Sequence, residues 1–102
     1  MLLIDNHVHA GDKYGPVEKV IETMDAHGVT HAAIVQHMGQ YNNTYLVESV
    51  TKYPNRFWAV GMVDLELPDA PKTLRHWLRK EKLHGVRLPA SSLSKRPDVW
   101  DA

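Results

Sequence analysis

Apolar residues along this chain fall into two alternating kinds of segment. Leu2-Leu3-Ile4, Ala32-Ala33-Ile34-Val35, residues 57–63 and Val86-Arg87-Leu88 are short, nearly continuous and rich in branched side chains. That is the pattern of parallel strands covered by helices rather than of a meander with one wet face. Between them lie three segments of helical period. The first follows Tyr14-Gly15, with Pro16 near its start, Val17, Val20, Ile21 and Met24 along one face, and Gly28 as its stop. The second starts at Asn42-Asn43-Thr44, carries Leu46, Val47 and Val50 inward and meets Pro54 at its far end. The third has Asp69 as N-cap, Pro71 in its first turn, Leu74, Trp77 and Leu78 on one face, and Gly85 beyond its last turn. Arg79, Lys80 and Lys82 sit where the helix dipole favours cations.

Strand starts near residues 2, 31, 57 and 85 recur at steps of 29, 26 and 28, one βα unit each. His27-Gly28-Val29 and His84-Gly85-Val86 repeat at two junctions, where glycine would supply a left-handed turn and valine would open the next strand. The order β-α-β-α-β-α-β predicts an α/β fold with parallel strands, either open and doubly wound or curving toward a barrel. Four strands are half of a (β/α)8 TIM barrel, so residues 1–102 read as its first three and a half units, with 90–102 a loop and the start of a fourth helix.

Composition narrows the function classes. Twelve basic and twelve acidic residues balance to a formal net charge of zero, which leaves no basic face for nucleic acid and no charged face for a membrane. No apolar run approaches the roughly 18 residues of a membrane helix, and the first residues lack the basic start of a secretory signal. With no cysteine, metal ligation would have to use histidine and carboxylate, and the chain suits a reducing cytoplasm. Glycine-rich nucleotide loops and a Gly-x-Ser-x-Gly elbow are absent.

Asp5-Asn6-His7-Val8-His9 carries the sharpest local chemistry. His7 and His9 share one strand face and can converge on one metal ion at the strand's carboxyl end, with Asp5 placed to orient a ligand. Seven histidines in 102 residues yield about half such a pair by chance, so satisfied polar histidines are the competing reading. Gln36 and His37 after the second strand either bind substrate or simply enter a loop. Arg87 either meets a substrate carboxylate or pairs with Asp64 or Glu66. Asn43 reads as a helix cap, His27 and His84 as caps of helix C-termini, His31 and His76 as surface or boundary residues, and Trp58, Trp77 and Trp100 as core or interface fillers.

In order, Ile4-Asp5-Asn6-His7-Val8-His9, Met24-Asp25-Ala26-His27-Gly28-Val29, Ile34-Val35-Gln36, Asn43-Thr44-Tyr45-Leu46, Tyr53-Pro54-Asn55-Arg56-Phe57, Val63-Asp64 and Gly85-Val86-Arg87-Leu88 resemble the amidohydrolase-related family of TIM-barrel metal-dependent hydrolases. The resemblance implies that His7 and His9 bind a divalent ion, often zinc, that activates water or polarises the substrate. It implies hydrolysis of lactones or cyclic amides, or decarboxylation of unsaturated or aromatic acids, with Arg87 suited to a small carboxylate-bearing substrate and Gln36 and His37 to further contacts. Some such enzymes work without a metal. The further metal-binding His and the catalytic Asp of the family come from later strands, so the 102-residue chain should be inactive alone. The alternative is a non-catalytic half-domain that covers its exposed sheet edges with a partner or with itself.

Overall fold

In the computed structural model, which describes residues 2–100, four parallel strands lie in the order β1-β2-β3-β4. They are β1 (Ile4–Val8), β2 (His31–Val35), β3 (Phe57–Met62) and β4 (Gly85–Arg87). The connections carry α1 (Val17–His27), α2 (Thr44–Lys52) and α3 (Ala70–Arg75), the last running into a π-helical turn, His76–Lys80. Beyond β4, α4 (Ala90–Leu93) and α5 (Pro97–Trp100) are single turns. The side chain of Trp100, and Asp101 and Ala102 of the expected fourth helix, lie outside the described residues.

The helices cover one face of the sheet. Ala32 and Ile34 of β2 and Phe57 and Ala59 of β3 pack with Val17, Met24 and Leu46 from α1 and α2 into one buried cluster. Successive strand residues point to opposite faces, so Ala33, Trp58 and Val60 belong to the other side, where Trp58 is 38% exposed. A sheet in sequential order with helices on one side is the N-terminal part of a TIM barrel, and the doubly wound alternative is excluded. The small second cluster joins Val63 and Leu65 after β3 to Ala70, Leu74 and Val99.

Several local expectations change. β1 begins at Ile4 and runs through Val8, so His7 lies inside the strand rather than after it, and Leu2 and Leu3 precede it. Gly28 does take the left-handed conformation, φ 71°, and Val29 N–H then bonds the Met24 carbonyl, closing α1 before β2 starts at His31. At the second His-Gly-Val, Gly85 is already the first residue of β4; the left-handed residue is Lys82, φ 61°. The π turn explains this, since its wider ring delays the helix exit and moves Leu78, 36% exposed, out of line with Leu74. His84 is not a helix cap: its Nδ1 accepts the Ala59 N–H at 3.0 Å while its own N–H bonds the Ala59 carbonyl at 2.9 Å. His27 Nδ1 does meet the Thr23 carbonyl, at 2.9 Å, in the last turn of α1.

Asn43 occupies the N-cap position of α2 but makes no capping bond. Its fully buried amide donates to the Met62 carbonyl at 2.9 Å and accepts the Met62 N–H at 3.0 Å, completing the end of β3. Asn42 Oδ1 takes the Thr44 N–H instead. Gly61 beside this bridge has no room for a side chain, because a Cβ would stand 2.6 Å from Leu83 Cδ1 and 2.7 Å from Asn43 Oδ1.

Candidate functional site

The carboxyl ends of β1 and β2 gather the site. Val8 packs toward the helical layer, so its neighbours His7 and His9 project from the opposite face. Their Nε2 atoms stand 3.3 Å apart, with rings edge to face. A carbonyl oxygen can only accept, so the 2.6 Å contact between His9 Nδ1 and the Val35 carbonyl fixes the proton on Nδ1. His9 Nε2 is then the acceptor of the 3.3 Å hydrogen bond, and His7 Nε2–H its donor.

The Nε2–Nε2 separation fits two ligands of one metal ion. Two nitrogens each about 2.0–2.1 Å from a tetrahedral ion are separated by about 3.3–3.4 Å. The carbonyl behind His9 is the kind of outer partner that orients a ligating ring. Asp5 does not serve in that way: its Oδ1 accepts the His7 backbone N–H at 3.0 Å, where the β1–β2 register shifts between Asp5 and Val8. Among the described residues no group of three or more His, Asp or Glu is placed to hold a metal ion.

A loop completes the rim. Gly11, Asp12 and Gly15 all take positive φ, and the turn Asp12–Tyr14 lays the Tyr14 ring 4.8 Å from His9 and 5.3 Å from His37. Asp12 Oδ2 accepts the Gln40 amide at 3.1 Å and lies 3.6 Å from His37 Nε2. Neither Asp12 nor Tyr14 stands out in the sequence beyond lying in a glycine-containing loop after the first strand; their roles depend on the loop's path.

Gln36 is buried, and its polar atoms are engaged by the protein. Its amide donates to the Asn42 carbonyl at 3.0 Å and its Oε1 accepts the His37 N–H at 3.1 Å. It also lines a cavity of about 120 Å³ with Ala10, Gly11, Asp12, Gln40 and Tyr45. Arg87 Nη1 donates to the Gln36 carbonyl at 2.9 Å, the single hydrogen bond of that guanidinium among the described residues. The expected alternative, an ion pair with Asp64 or Glu66, is not formed: Asp64 Oδ1 instead accepts the Glu66 N–H at 3.0 Å. His7, His9, Gln36, His37 and Arg87 thus come from three strand ends to one rim, with Arg87 joined to the backbone N–H of His37 through Gln36.

No family model and no curated protein matches this sequence. Solved structures do. The chain resembles a probable 2-pyrone-4,6-dicarboxylic acid hydrolase from Acinetobacter baumannii with citric acid bound, at TM-score 0.70 and 25% identity, over 99% of this chain and 44% of that one. It is also similar to 5-carboxyvanillate decarboxylase from Novosphingobium aromaticivorans with bound manganese, at TM-score 0.70 and 16% identity, over 83% of this chain and 41% of that one. A 2,6-dihydroxybenzoate decarboxylase from Rhizobium matches at TM-score 0.64 and 19% identity, over 83% and 36%. The chain therefore spans less than half the length of these enzymes, and what it shares with them is the N-terminal part of a TIM-barrel fold.

Proposed function

We propose that this chain is the N-terminal part of an amidohydrolase-related hydrolase acting on a small carboxylate-bearing lactone or cyclic amide. The observation that carries the reading is the His7–His9 pair, converged to 3.3 Å at the carboxyl end of β1 with the Val35 carbonyl holding the His9 tautomer. His7 and His9 hold a divalent ion, zinc in our reading, through their Nε2 atoms. When bound, such an ion supplies Lewis-acid chemistry or an activated water. Arg87, with one nitrogen tied to the Gln36 carbonyl, offers its remaining N–H groups to a substrate carboxylate. Gln36 positions Arg87 and His37, and His37 borders the substrate side of the rim.

A second reading, decarboxylation, draws support from the two decarboxylases among the similar structures. We prefer hydrolysis because the hydrolase aligns over 99% of the chain at 25% identity, whereas the decarboxylases align over 83% at 16% and 19%.

Calorimetric titration with zinc or manganese tests the site. Wild type binds one ion per chain weakly, because two protein ligands leave the third position of a catalytic zinc site unfilled. His7→Ala and His9→Ala each weaken binding by about tenfold or more, while His27→Ala, at the far end of α1, leaves it unchanged. Equal binding by all four proteins would refute the metal reading. The 102-residue chain alone shows no lactonase or decarboxylase turnover, and detectable turnover would contradict its role as part of a larger site.

A further inference from the structure

On the helical side of the sheet, a groove of about 410 Å³ lies between α2 and the link from α3 to β4. Val47, Val50 and Pro54 line it with apolar surface, and the link contributes Lys80, at the end of the π turn, then Lys82 and His84. Among the described residues neither lysine has an acidic partner, and Glu81, the carboxylate of the lining, is engaged by His76 Nε2 at 3.4 Å. His84 Nδ1 accepts the Ala59 N–H at 3.0 Å, so the proton of the neutral ring sits on Nε2, a donor with no partner among the described residues. Lys82 also keeps a side chain at φ 61°, where glycine would be less strained, directly after the π turn. Both features recur at binding sites.

We propose that this groove binds a small carboxylate with a short apolar tail, the carboxylate held by Lys80, Lys82 and His84 Nε2–H and the tail laid along Val47, Val50 and Pro54. Charge complementarity selects the occupant. Two unpaired ammonium groups and one N–H donor, against a single carboxylate already engaged, leave the polar end of the groove cationic, and the apolar residues beside it favour a ligand with a tail over a bare anion. Its volume suits a small molecule. Both walls belong to this chain and stand on the helical layer, so the groove persists whatever adjoins β1 or β4. It lies toward the amino ends of β3 and β4, beside Pro54 and His84, whereas His7, His9 and Arg87 gather at the carboxyl ends.

The inference does not rest on the enzyme reading. Hexanoate is the probe, followed through the amide chemical shifts of the 102-residue chain. Saturable shifts are expected at Val47, Val50, Lys80, Lys82 and His84, with hexan-1-ol and inorganic phosphate each binding there about tenfold more weakly, since each lacks one half of the ligand. Lys80→Gln and Lys82→Gly each weaken hexanoate by about threefold while circular dichroism stays native; glycine retains the left-handed turn and removes only the ammonium. Arg87→Ala leaves the groove shifts unchanged, which separates this site from the carboxylate role assigned to that residue. If a lysine variant fails to fold, the comparison of the three probes on wild type decides. Absence of shifts in the groove, or shifts confined to the surroundings of Arg87 or Trp58, overturns the proposal. Hexan-1-ol or phosphate binding as tightly as hexanoate, or a folded Lys82→Gly that binds like wild type, overturns it as well.

Discussion

Asn43 joins the helical layer to the sheet through two hydrogen bonds to a single residue, Met62, and is itself fully buried. Truncating it strands a buried N–H and a buried carbonyl together, so Asn43→Ala should cost about 2–4 kcal/mol in urea denaturation, well above a lost surface cap. Lys82 illustrates the opposite case, a side chain that works against its backbone. At φ 61° it holds a conformation that glycine adopts without a Cβ clash, and Lys82→Gly should stabilise the fold by roughly 0.5–1 kcal/mol, measured the same way. Arg56 ties the amino ends of two strands, bonding the Thr30 carbonyl at 2.9 Å and Asp25 at 2.7 Å. Asp25 and Arg56 both fall in the runs that carry the family resemblance, and their role is structural. Residue identity and position after a strand make His7, His9 and Arg87 candidates. They are insufficient for Asn43, Asp12 and Tyr14, because a polar side chain's partner across 19 or more positions depends on how the elements pack.

Between elements, α1 and α2 are linked at their solvent side by Glu18, which accepts the Tyr53 hydroxyl at 2.7 Å and the Lys52 ammonium at 3.3 Å. The Tyr53 bond is the main cause that holds the Glu18 carboxyl below its usual range; partial desolvation opposes it and Lys52 adds to it. A lowered folded value means the unfolded chain binds the proton more readily, so this contribution is complete above the ordinary carboxylate range and is lost as pH falls through the folded value. The melting temperature of wild type should therefore drop further on acidification than that of Glu18→Gln, with the two converging at the acid end. A constant offset at every pH would discount the link. Element type was legible wherever periodicity was long and its stop signal local, as in α1, from Val17 to the left-handed Gly28. The exit of α3 was not, because the π turn at His76–Lys80 leaves no composition signal.

Across the whole molecule, the radius of gyration of 14.3 Å exceeds the about 13 Å expected of a compact chain of this length, as befits an elongated body with extents of 43 × 26 × 25 Å. The alternation of strand and helix, their parallel sense and the convergence of His7 with His9 were all carried in the linear order of residues, because each rests on a period of two or 3.6 or on an adjacent breaker. Barrel against doubly wound sheet was not, since both have the same βα repeat; the choice came from which side α1 and α2 take, and their shared cluster with Ala32, Ile34 and Phe57 puts them on one. The proton on His9 Nδ1, the burial of Gln36 and the separation of Arg87 from Asp64 and Glu66 likewise arise from atoms far apart in the chain, and only packing brings those atoms within a hydrogen bond of one another.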